Sequence, residues 1–492
     1  MEQSGERILF EVNPIDGTVT TTVDIVYGGE PDAFSWILPI PVSDAMPVPD
    51  LSIGPESLLR DLELATQPQL IPPPVKCTSA PAPPGSPSAG AFGDDDDAAD
   101  DEFDGGVDVT DLPNVGPFDN ELIEATDPDA LIEWLDTNGY LVTPAMEPVL
   151  ADYVAGGLAF LGVKLLPDAE TSEIAPLSIT WPGSEPMIPL RLTSVSAEPD
   201  MGLLVFVVGD NAYASDNWTT MELPESDLKW HQARNQTNYQ GLLGYTLDQV
   251  GGQGFVVERA GATDSVNVTG ASAVELQAIL DRHDVITRLH GRAHPEEMVS
   301  DPVFVPEPFA FNGVFDLSDR PAVELCQGAQ RNPLDCAETY CGVGGSCAET
   351  VARFDGCVCD EGFVARSVRQ PTRPGQPERE TVVCQDASLD FLAEFGPSSA
   401  DVCANVECGP GSCQAVNGFP TCACDEGFAA VPTGAGSPTC SEVLTVYPAN
   451  RIADWSTARG CASGCSTEGS SASGVGLLAL VGFLLGVRRR RA

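Results

Sequence analysis

The chain has 492 residues, with 73 Asp and Glu against 24 Lys and Arg, so its formal net charge is −49. Such an acidic surface repels phosphate backbones and anionic lipid head groups, which excludes nucleic acid as a partner. At about 150 residues per domain the length predicts about three domains, and 48 Gly and 42 Pro indicate many turns and linkers.

The first 312 residues have the patterns of both strands and helices, without a regular alternation of the two. Alternating apolar and polar residues are typical of strands, and apolar residues three and four apart are typical of helices. The predicted strands lie at residues 7–13, 19–25, 34–40, 158–166, 174–181, 187–195, 203–208 and 255–258. The predicted helices lie at residues 55–66, 126–138, 144–154, 239–250 and 272–282. We therefore expect an α+β globular N-terminal region.

Two local motifs support these predictions. Asp16-Gly17 lies between the first two strands and is a strong hairpin signal, because Gly accepts positive φ. Asp127 is suited to cap a helix whose first residue is Pro128. Both motifs mark places where the chain changes direction or secondary structure.

Residues 73–106 differ from the rest of the N-terminal region in composition, since a Pro, Ala, Ser and Gly tract leads into acidic runs at 94–97 and 100–102. Such a segment cannot bury enough apolar surface to offset its chain entropy. We predict a disordered insertion within one α+β domain formed by residues 1–72 and 107–312. A calcium site is the alternative, but the Asp-x-Asp-x-Asp-Gly order of a calcium loop is absent.

Several segments of this domain share their residues with one bacterial family. These are Gly5–Ile8, Phe34–Pro41, Asp127–Leu135 with Asn138–Tyr140, Ile188–Leu192 and Ala197–Asp200. Together they resemble the secreted-protein family catalogued as domain of unknown function 2330, over roughly residues 5–312. The shared residues are core and turn motifs, and the family implies no established activity, catalytic residue or cofactor.

The cysteines are unevenly distributed, since 15 of the 16 follow residue 325. Twelve form two similar units that share a Cys-x-Cys pair followed by Asp-Glu-Gly-Phe. The first cysteine unit contains Cys336, Cys341, Cys347, Cys357, Cys359 and Cys384, and the second contains Cys403, Cys408, Cys413, Cys422, Cys424 and Cys440. Dense cysteines indicate disulfides and an oxidising compartment. Spacing alone allows 15 pairings for six cysteines, and zinc binding, which usually needs Cys-x2-Cys, is the poorer alternative.

The two units, at residues 336–384 and 403–440, resemble epidermal-growth-factor-like (EGF-like) modules. The resemblance implies first-to-third, second-to-fourth and fifth-to-sixth bonds. The implied pairs are Cys336–Cys347, Cys341–Cys357, Cys359–Cys384, Cys403–Cys413, Cys408–Cys422 and Cys424–Cys440. The acidic and Asn cluster that precedes the first Cys of calcium-binding modules is absent, so we expect no calcium site. Four cysteines remain, Cys77, Cys326, Cys461 and Cys465. Cys77 and Cys326 are a possible further pair, although the sequence does not show that they are close together.

The C-terminal part has the features of a membrane signal. Residues 469–487 are uncharged, and at about 1.5 Å per residue they span roughly the 30 Å of a bilayer core. A basic tail at 488–492 would stay on the cytoplasmic side of this predicted transmembrane helix. The preceding linker, residues 441–468, contains a short Cys motif.

These features together resemble the MYXO-CTERM sorting tail of myxobacterial surface proteins. The residues that carry the resemblance are Cys461, Cys465, Arg488, Arg489, Arg490 and Arg491. The resemblance implies a sorting protease that removes the helix and attachment of the new C-terminus to the cell envelope. We therefore expect an exported protein of the outer surface, whose signal peptide lies upstream of the given start.

The sequence contains no catalytic, cofactor-binding or metal-binding motif that we can identify. His290 and His294 have the spacing of a helical metal pair, but Pro295 disfavours helix and no third ligand is evident, so we predict a surface turn. We expect a non-enzymatic surface protein without a cofactor, which binds an unknown surface protein or glycan. The alternatives are a secreted hydrolase with an unrecognised carboxylate site and a structural component of the envelope.

Overall fold

The computed structural model describes residues 3–27, 35–74, 107–166, 175–231, 236–320, 336, 339–352, 354–371, 378–389 and 402–447. These residues form an N-terminal domain, between residues 3 and 320, and a disulfide-rich body, between residues 336 and 447. Within the described ranges, no helix has the length and the apolar content needed to cross a bilayer.

The N-terminal domain has the predicted α+β composition. Its described helices are α1 (Leu58–Thr66), α2 (Pro128–Thr137), α3 (Glu147–Ala155), α4 (Leu190–Thr193), α5 (Tyr239–Asp248) and α6 (Ala273–Leu280). Its described strands are β1 (Gln3–Asn13), β2 (Thr18–Tyr27), β3 (Ser35–Ile40), β4 (Asp50–Ile53), β5 (Gln69–Ile71), β6 (Val107–Val115), β7 (Phe118–Ala125), β8 (Ala159–Leu165), β9 (Leu177–Pro182), β10 (Ala197–Gly209), β11 (Tyr213–Ser215), β12 (Thr219–Met221), β13 (Trp230–His231), β14 (Gln236–Thr237), β15 (Gly254–Ala262), β16 (Val285–Ala293), β17 (Phe304–Pro306) and β18 (Val314–Asp316). All five predicted helices are present.

An eight-stranded sheet, in the order β12-β15-β16-β10-β1-β2-β9-β4, is the centre of the domain. The hairpin of β1 and β2 has the predicted turn, in which Gly17 has a φ of 66°. The other neighbour of β1 is β10, which runs parallel to it. A second sheet, in the order β3-β8-β7-β6, is antiparallel throughout.

The two sheets and the helices form four layers. Side chains from both sheets, such as Phe10 and Leu161, share the main core. The outer face of the second sheet packs on α2 and α3, for example through Phe160 and Leu135. The outer face of the first sheet packs on α1 and α6. Each sheet is therefore covered on both faces, which explains strands that are apolar on successive residues.

The predicted strand at 187–195 is wrong. Met187 forms an isolated bridge to Val303, and α4 begins at Leu190. The apolar residues two apart suggested a strand, but the backbone N–H of Arg191 donates to the carboxylate of Asp301 at 2.9 Å, which supports a helical turn here. This partner is distant in sequence, so the local pattern gave no sign of it.

The disulfide-rich body contains strands β19 (Gly345–Thr350), β20 (Asp355–Cys359), β21 (Phe363–Pro371), β22 (Glu378–Asp386), β23 (Gly411–Val416), β24 (Phe419–Cys424), β25 (Phe428–Val431) and β26 (Thr439–Tyr447). Strands of the two cysteine units pair with each other, in a closed barrel β19-β20-β25-β26 and a sheet β22-β21-β24-β23. The units are thus joined by hydrogen bonds into one body. Residues 441–447, which we predicted as linker, belong to β26 because they complete this barrel.

Candidate functional site

An apolar cavity of about 120 Å³ lies between the two sheets of the N-terminal domain. Strands β1, β2, β3 and β9 line it, together with the segment before α4. A smaller cavity of about 50 Å³ lies beside it, and Trp36, Pro189 and Thr193 line both. A mainly apolar concave space with a few polar groups is typical of small-molecule sites.

The polar residues that line these cavities are buried or half-buried, except for Glu185, which is exposed. Glu6, which is only 4% exposed, lines the larger cavity and accepts a hydrogen bond from Gln3 Nε2. Burial raises the pKa of Glu6 to about 7, while the hydrogen bond from Gln3 acts in the opposite direction. The hydroxyl groups of Thr21 and Thr143, one in each cavity, are buried without a hydrogen-bond partner among the described residues. Buried polar groups normally have partners, so these hydroxyls are unusual.

A second polar cluster lies on the opposite face of the eight-stranded sheet. Arg288, His290, Arg292 and His294 alternate along β16 and just beyond its end, and we call them the β16 stripe. Because side chains two apart on a strand share a face, the four side chains point the same way. Strand geometry also explains why His290 and His294 do not form the helical pair whose spacing they have.

The stripe is paired with buried carboxylates. Arg288 Nε lies 2.5 Å from one oxygen of Glu258, and His290 Nδ1 lies 2.8 Å from the other. Burial would raise the pKa of Glu258, but the charge of Arg288 and the contact with His290 outweigh it and hold the pKa well below its usual range. Arg292 pairs with Asp200 through Nε, at 2.9 Å, and through Nη2.

The prediction that His294 lies in a surface turn is wrong, since His294 is only 1% exposed. Gly342 of the first cysteine unit lies against it, so that a Cβ at Gly342 would come within 2.7 Å of His294 Cε1. Burial and the charge of Arg292 lower the pKa of His294 to about 3. The imidazole is therefore neutral and is covered by a part of the chain that is distant in sequence.

Six disulfides are present in the disulfide-rich body, and their pairs are those that the EGF-like resemblance implies. They are Cys336–Cys347, Cys341–Cys357, Cys359–Cys384, Cys403–Cys413, Cys408–Cys422 and Cys424–Cys440. Their Cα atoms are between 5.4 and 5.9 Å apart, within the usual range for disulfides.

The family described as "Uncharacterized protein conserved in bacteria (DUF2330)" matches residues 14–305, which is more than half of the chain. The chain belongs to this family. No curated protein and no solved structure matches it. The family carries no activity that could be transferred to the cavity or to the β16 stripe, so their chemistry has to be argued from this DUF2330 protein itself.

In this DUF2330 protein the first cysteine unit docks on the N-terminal domain through Tyr340. The guanidinium of Arg292 lies 5.0 Å from the centre of the Tyr340 ring. The Tyr340 hydroxyl donates to Asp248 at 2.5 Å, and the ring lies on Gly244 of α5. We call these contacts, with those of His294 and Gly342, the Tyr340 seam. A cation–π pair and a buried hydrogen bond together fix one orientation of the two bodies.

Carboxyl groups around the Tyr340 seam are held partly neutral. Burial raises the pKa of Asp248 to about 6, against the hydrogen bond from Tyr340. Burial also raises the pKa of Glu297 to about 7, with the nearby charges of Asp248, Glu296 and Asp200 acting in the same direction. Glu297 accepts the backbone N–H of His294 at 2.8 Å. The seam therefore contains groups that change charge near neutral pH.

Several predicted site residues lie outside the described residues. These are Cys77, Cys326, Cys461, Cys465 and Arg488, Arg489, Arg490 and Arg491, with most of the insertion and the predicted helix at 469–487. In the part of the chain that is described, no group of three or more His, Cys, Asp or Glu side chains could hold a metal ion.

Neither the cavity nor the β16 stripe was predicted from the sequence, although His290 and His294 of the stripe had attracted notice through their spacing. A signal for the stripe exists, because residues 288–294 alternate basic and small or apolar side chains with the period of a strand. The buried carboxylates gave no comparable signal. Glu6 lines the cavity, and Asp200 and Glu258 pair with arginines of the stripe. These positions arise only because strands that are distant in sequence pair in one sheet.

Proposed function

We propose that this protein is a non-enzymatic, exported surface protein that displays two EGF-like modules on its DUF2330 domain in order to bind a partner at the cell surface. The observation that carries the proposal is the set of six disulfides, with EGF-like pairing, in a body docked on the N-terminal domain. Disulfides persist in oxidising compartments, which supports export.

The docking of the two bodies supports a role in presentation. Because the Tyr340 seam fixes the first cysteine unit, and strand pairing fixes the second unit on the first, both face the partner in one arrangement. A rigid arrangement reduces the entropy that is lost on binding. It suits a module that binds rather than one that only separates two domains.

An exposed apolar surface on the barrel is the proposed contact. Val351, Leu444 and Val446 are 51%, 61% and 46% exposed, and β26 lies beside β19. The backbone N–H of Val351 donates to the carbonyl of Glu442, two residues before Leu444, so the three residues belong to adjacent segments of the barrel. Clustered exposed aliphatic residues are typical of protein interfaces, which favours a surface protein over a glycan.

Attachment to the envelope is the second part of the proposal. The Cys461 and Cys465 motif, the uncharged run and the four arginines serve as a sorting tail of the MYXO-CTERM type, which a membrane protease cleaves. Mass spectrometry of the surface form tests this directly. A C-terminal peptide that still contains Arg488–Ala492 would contradict cleavage and would indicate a lasting transmembrane anchor.

Capture from surface extracts tests the binding function. The purified exported chain should retain a defined partner, and Leu444→Asp with Val446→Asp should reduce the captured amount at least about tenfold, because charges oppose burial. Val274→Asp, at a residue 78% exposed on α6, is the matched control and should capture normally. Equal capture by the wild type, the double variant and the control would contradict the proposed contact. Capture of a glycan without any protein would show that the partner is a glycan and not a surface protein.

The hydrolase alternative rests on one observation, a buried carboxyl in a cavity. Glu6 with a pKa near 7 is the type of group that general acids require. A panel of ester, glycoside and peptide substrates, with Glu6→Gln as control, distinguishes this alternative. Turnover that is lost in Glu6→Gln would establish an enzyme and contradict the non-enzymatic proposal.

A further inference from the structure

The cavity between the two sheets has an uneven distribution of charge. The described residues that line the two cavities include two carboxylates, Glu6 and Glu185, and no Lys, Arg or His. Glu6 is buried in the wall of the cavity, whereas Glu185 is exposed. A ligand in the cavity is therefore close to one buried and one exposed acidic residue, and no basic residue among those that line the cavity neutralises their charge.

Two indole rings line the same cavity. Trp36 on β3 and Trp181 on β9 belong to opposite sheets, and Phe10 of β1 is a third aromatic residue in the lining. The face of an aromatic ring attracts a cation, and Trp does so most strongly. Aromatic rings with a nearby carboxylate form the typical environment for an ammonium group.

The cavity also has room and an unused hydrogen-bonding group. The hydroxyl of Thr21, a residue only 3% exposed, has no hydrogen-bond partner among the described residues. A volume of about 120 Å³ is slightly smaller than the cavity of about 150 Å³ that holds one benzene molecule in an engineered protein. The fitting ligand is small, with an apolar body and at most one or two polar groups.

We propose that the cavity bounded by Glu6, Trp36 and Trp181 binds a small organic cation, an ammonium group carried on a short apolar body. Glu6 supplies the opposite charge, the indoles surround the cationic group, and Thr21 accepts from or donates to a hydroxyl of the ligand. This inference goes beyond the proposed binding of a surface partner, which uses the barrel and not the cavity.

Binding of a cation is coupled to release of a proton from Glu6. Without ligand the carboxyl is partly protonated near neutral pH, because burial raises its pKa to about 7. A cation favours the ionised form, so affinity rises as the pH rises through this value. Glu185 is the other charged group among the described lining residues, and Gln3 is the hydrogen-bond donor to Glu6. We expect affinity to increase about tenfold between pH 6 and pH 8.

Isothermal titration calorimetry with choline tests the proposal, and 3,3-dimethylbutan-1-ol is the matched neutral probe. The two molecules have the same shape, and carbon replaces nitrogen in the second. We expect choline to bind at least about tenfold more tightly. Heats measured in buffers of different ionisation enthalpy should show that protons are released on binding. Equal affinity for both probes, or no binding of choline at millimolar concentration, would overturn the inference.

Two substitutions separate the site from the general acidity of the chain. Glu6→Gln keeps the shape of the neutral carboxyl, so it should fold normally, bind choline at least about tenfold more weakly and lose the pH dependence. Glu133→Gln removes the same charge from an exposed residue of α2 and should bind as the wild type does. Weakening of the same size in both variants would show attraction by the net charge of −49 alone and contradict a specific site.

Discussion

The N-terminal domain and the disulfide-rich body are stabilised in different ways. In the domain, fully buried side chains such as Leu9, Phe10 and Phe206 fill the spaces between four layers. In the body, five of the eight residues in the larger buried cluster are half-cystines. A small body cannot bury enough apolar surface on its own, so covalent bonds replace part of its core.

The Tyr340 seam between the two regions is of a third kind. It is neither an apolar core nor a covalent link, because Arg292, Asp248 and the Tyr340 ring meet there through charge and hydrogen bonds. Polar contacts of this type are specific in geometry but add little net stability. We therefore predict that the N-terminal domain and the disulfide-rich body unfold separately. The seam should affect their relative orientation more than the stability of either region.

Reduction of the disulfides should have the largest effect. A reductant should unfold residues 336–447 and leave the N-terminal domain folded, because each native disulfide contributes about 2–5 kcal/mol to a small domain. Hydrogen exchange measured by mass spectrometry with and without reductant would show this region by region. If both regions lost protection from hydrogen exchange together, the folding of the domain would depend on the docked body. That result would contradict the proposal that the two regions are stabilised independently.

Phe160→Ala should destabilise the domain alone. Phe160 is fully buried between the second sheet and α3, where its ring contacts Tyr153 at 6.4 Å between centroids. Truncation of such a ring costs about 3–5 kcal/mol, so the melting temperature of the domain should fall. Val274→Ala, at an exposed residue of α6, should change the unfolding free energy by less than about 0.5 kcal/mol. A similar loss of protection in the disulfide-rich body would contradict the separation.

Gly244→Ala examines the seam. In an isolated helix this substitution would stabilise α5 by about 1 kcal/mol, but here the new Cβ would lie 2.8 Å from Tyr340 Cδ2. We expect a loss of about 1–3 kcal/mol from overpacking. In a Tyr340→Ala background the sign should reverse, because the clash is gone. If denaturant unfolding showed that the effects of the two substitutions are additive, the Tyr340 ring would not lie on Gly244.

Glu297→Gln should have the smallest effect, on the pH dependence of stability. The pKa of Glu297 rises from 4.5 to about 7, so folding favours its protonated form and stability is lost as the pH rises through this window. His294, whose pKa falls from 6.5 to about 3, acts in the opposite direction, with stability lost as the pH falls below 6.5.

The stabilities of the wild type and Glu297→Gln are therefore compared above pH 6, where the contribution of Glu297 is lost and that of His294 is the same in both proteins. Between pH 6 and pH 8 the wild type should lose about 1 kcal/mol more than Glu297→Gln, which keeps an acceptor for the His294 backbone. Unfolding curves at the two values measure the difference. Identical losses in the two proteins would show that Glu297 is not desolvated at the seam.

What the sequence determined by itself was local or covalent. The hairpin at Gly17, the helix that begins at Pro128 and the family of the domain follow from neighbouring residues. The cysteine pairs were accessible through a resemblance, because their spacing is repeated. In each case the determining residues lie close together in the chain or belong to a recurring motif.

The tertiary structure alone decided which distant residues meet. It joined the two cysteine units by strand pairing, buried His294 under Gly342 and turned residues 190–193 into a helix. It also placed Glu6 between two sheets, where loss of water moves its pKa. Burial and the charges of neighbours set the chemistry of these groups, and both depend on packing between strands far apart in sequence, which no local pattern encodes.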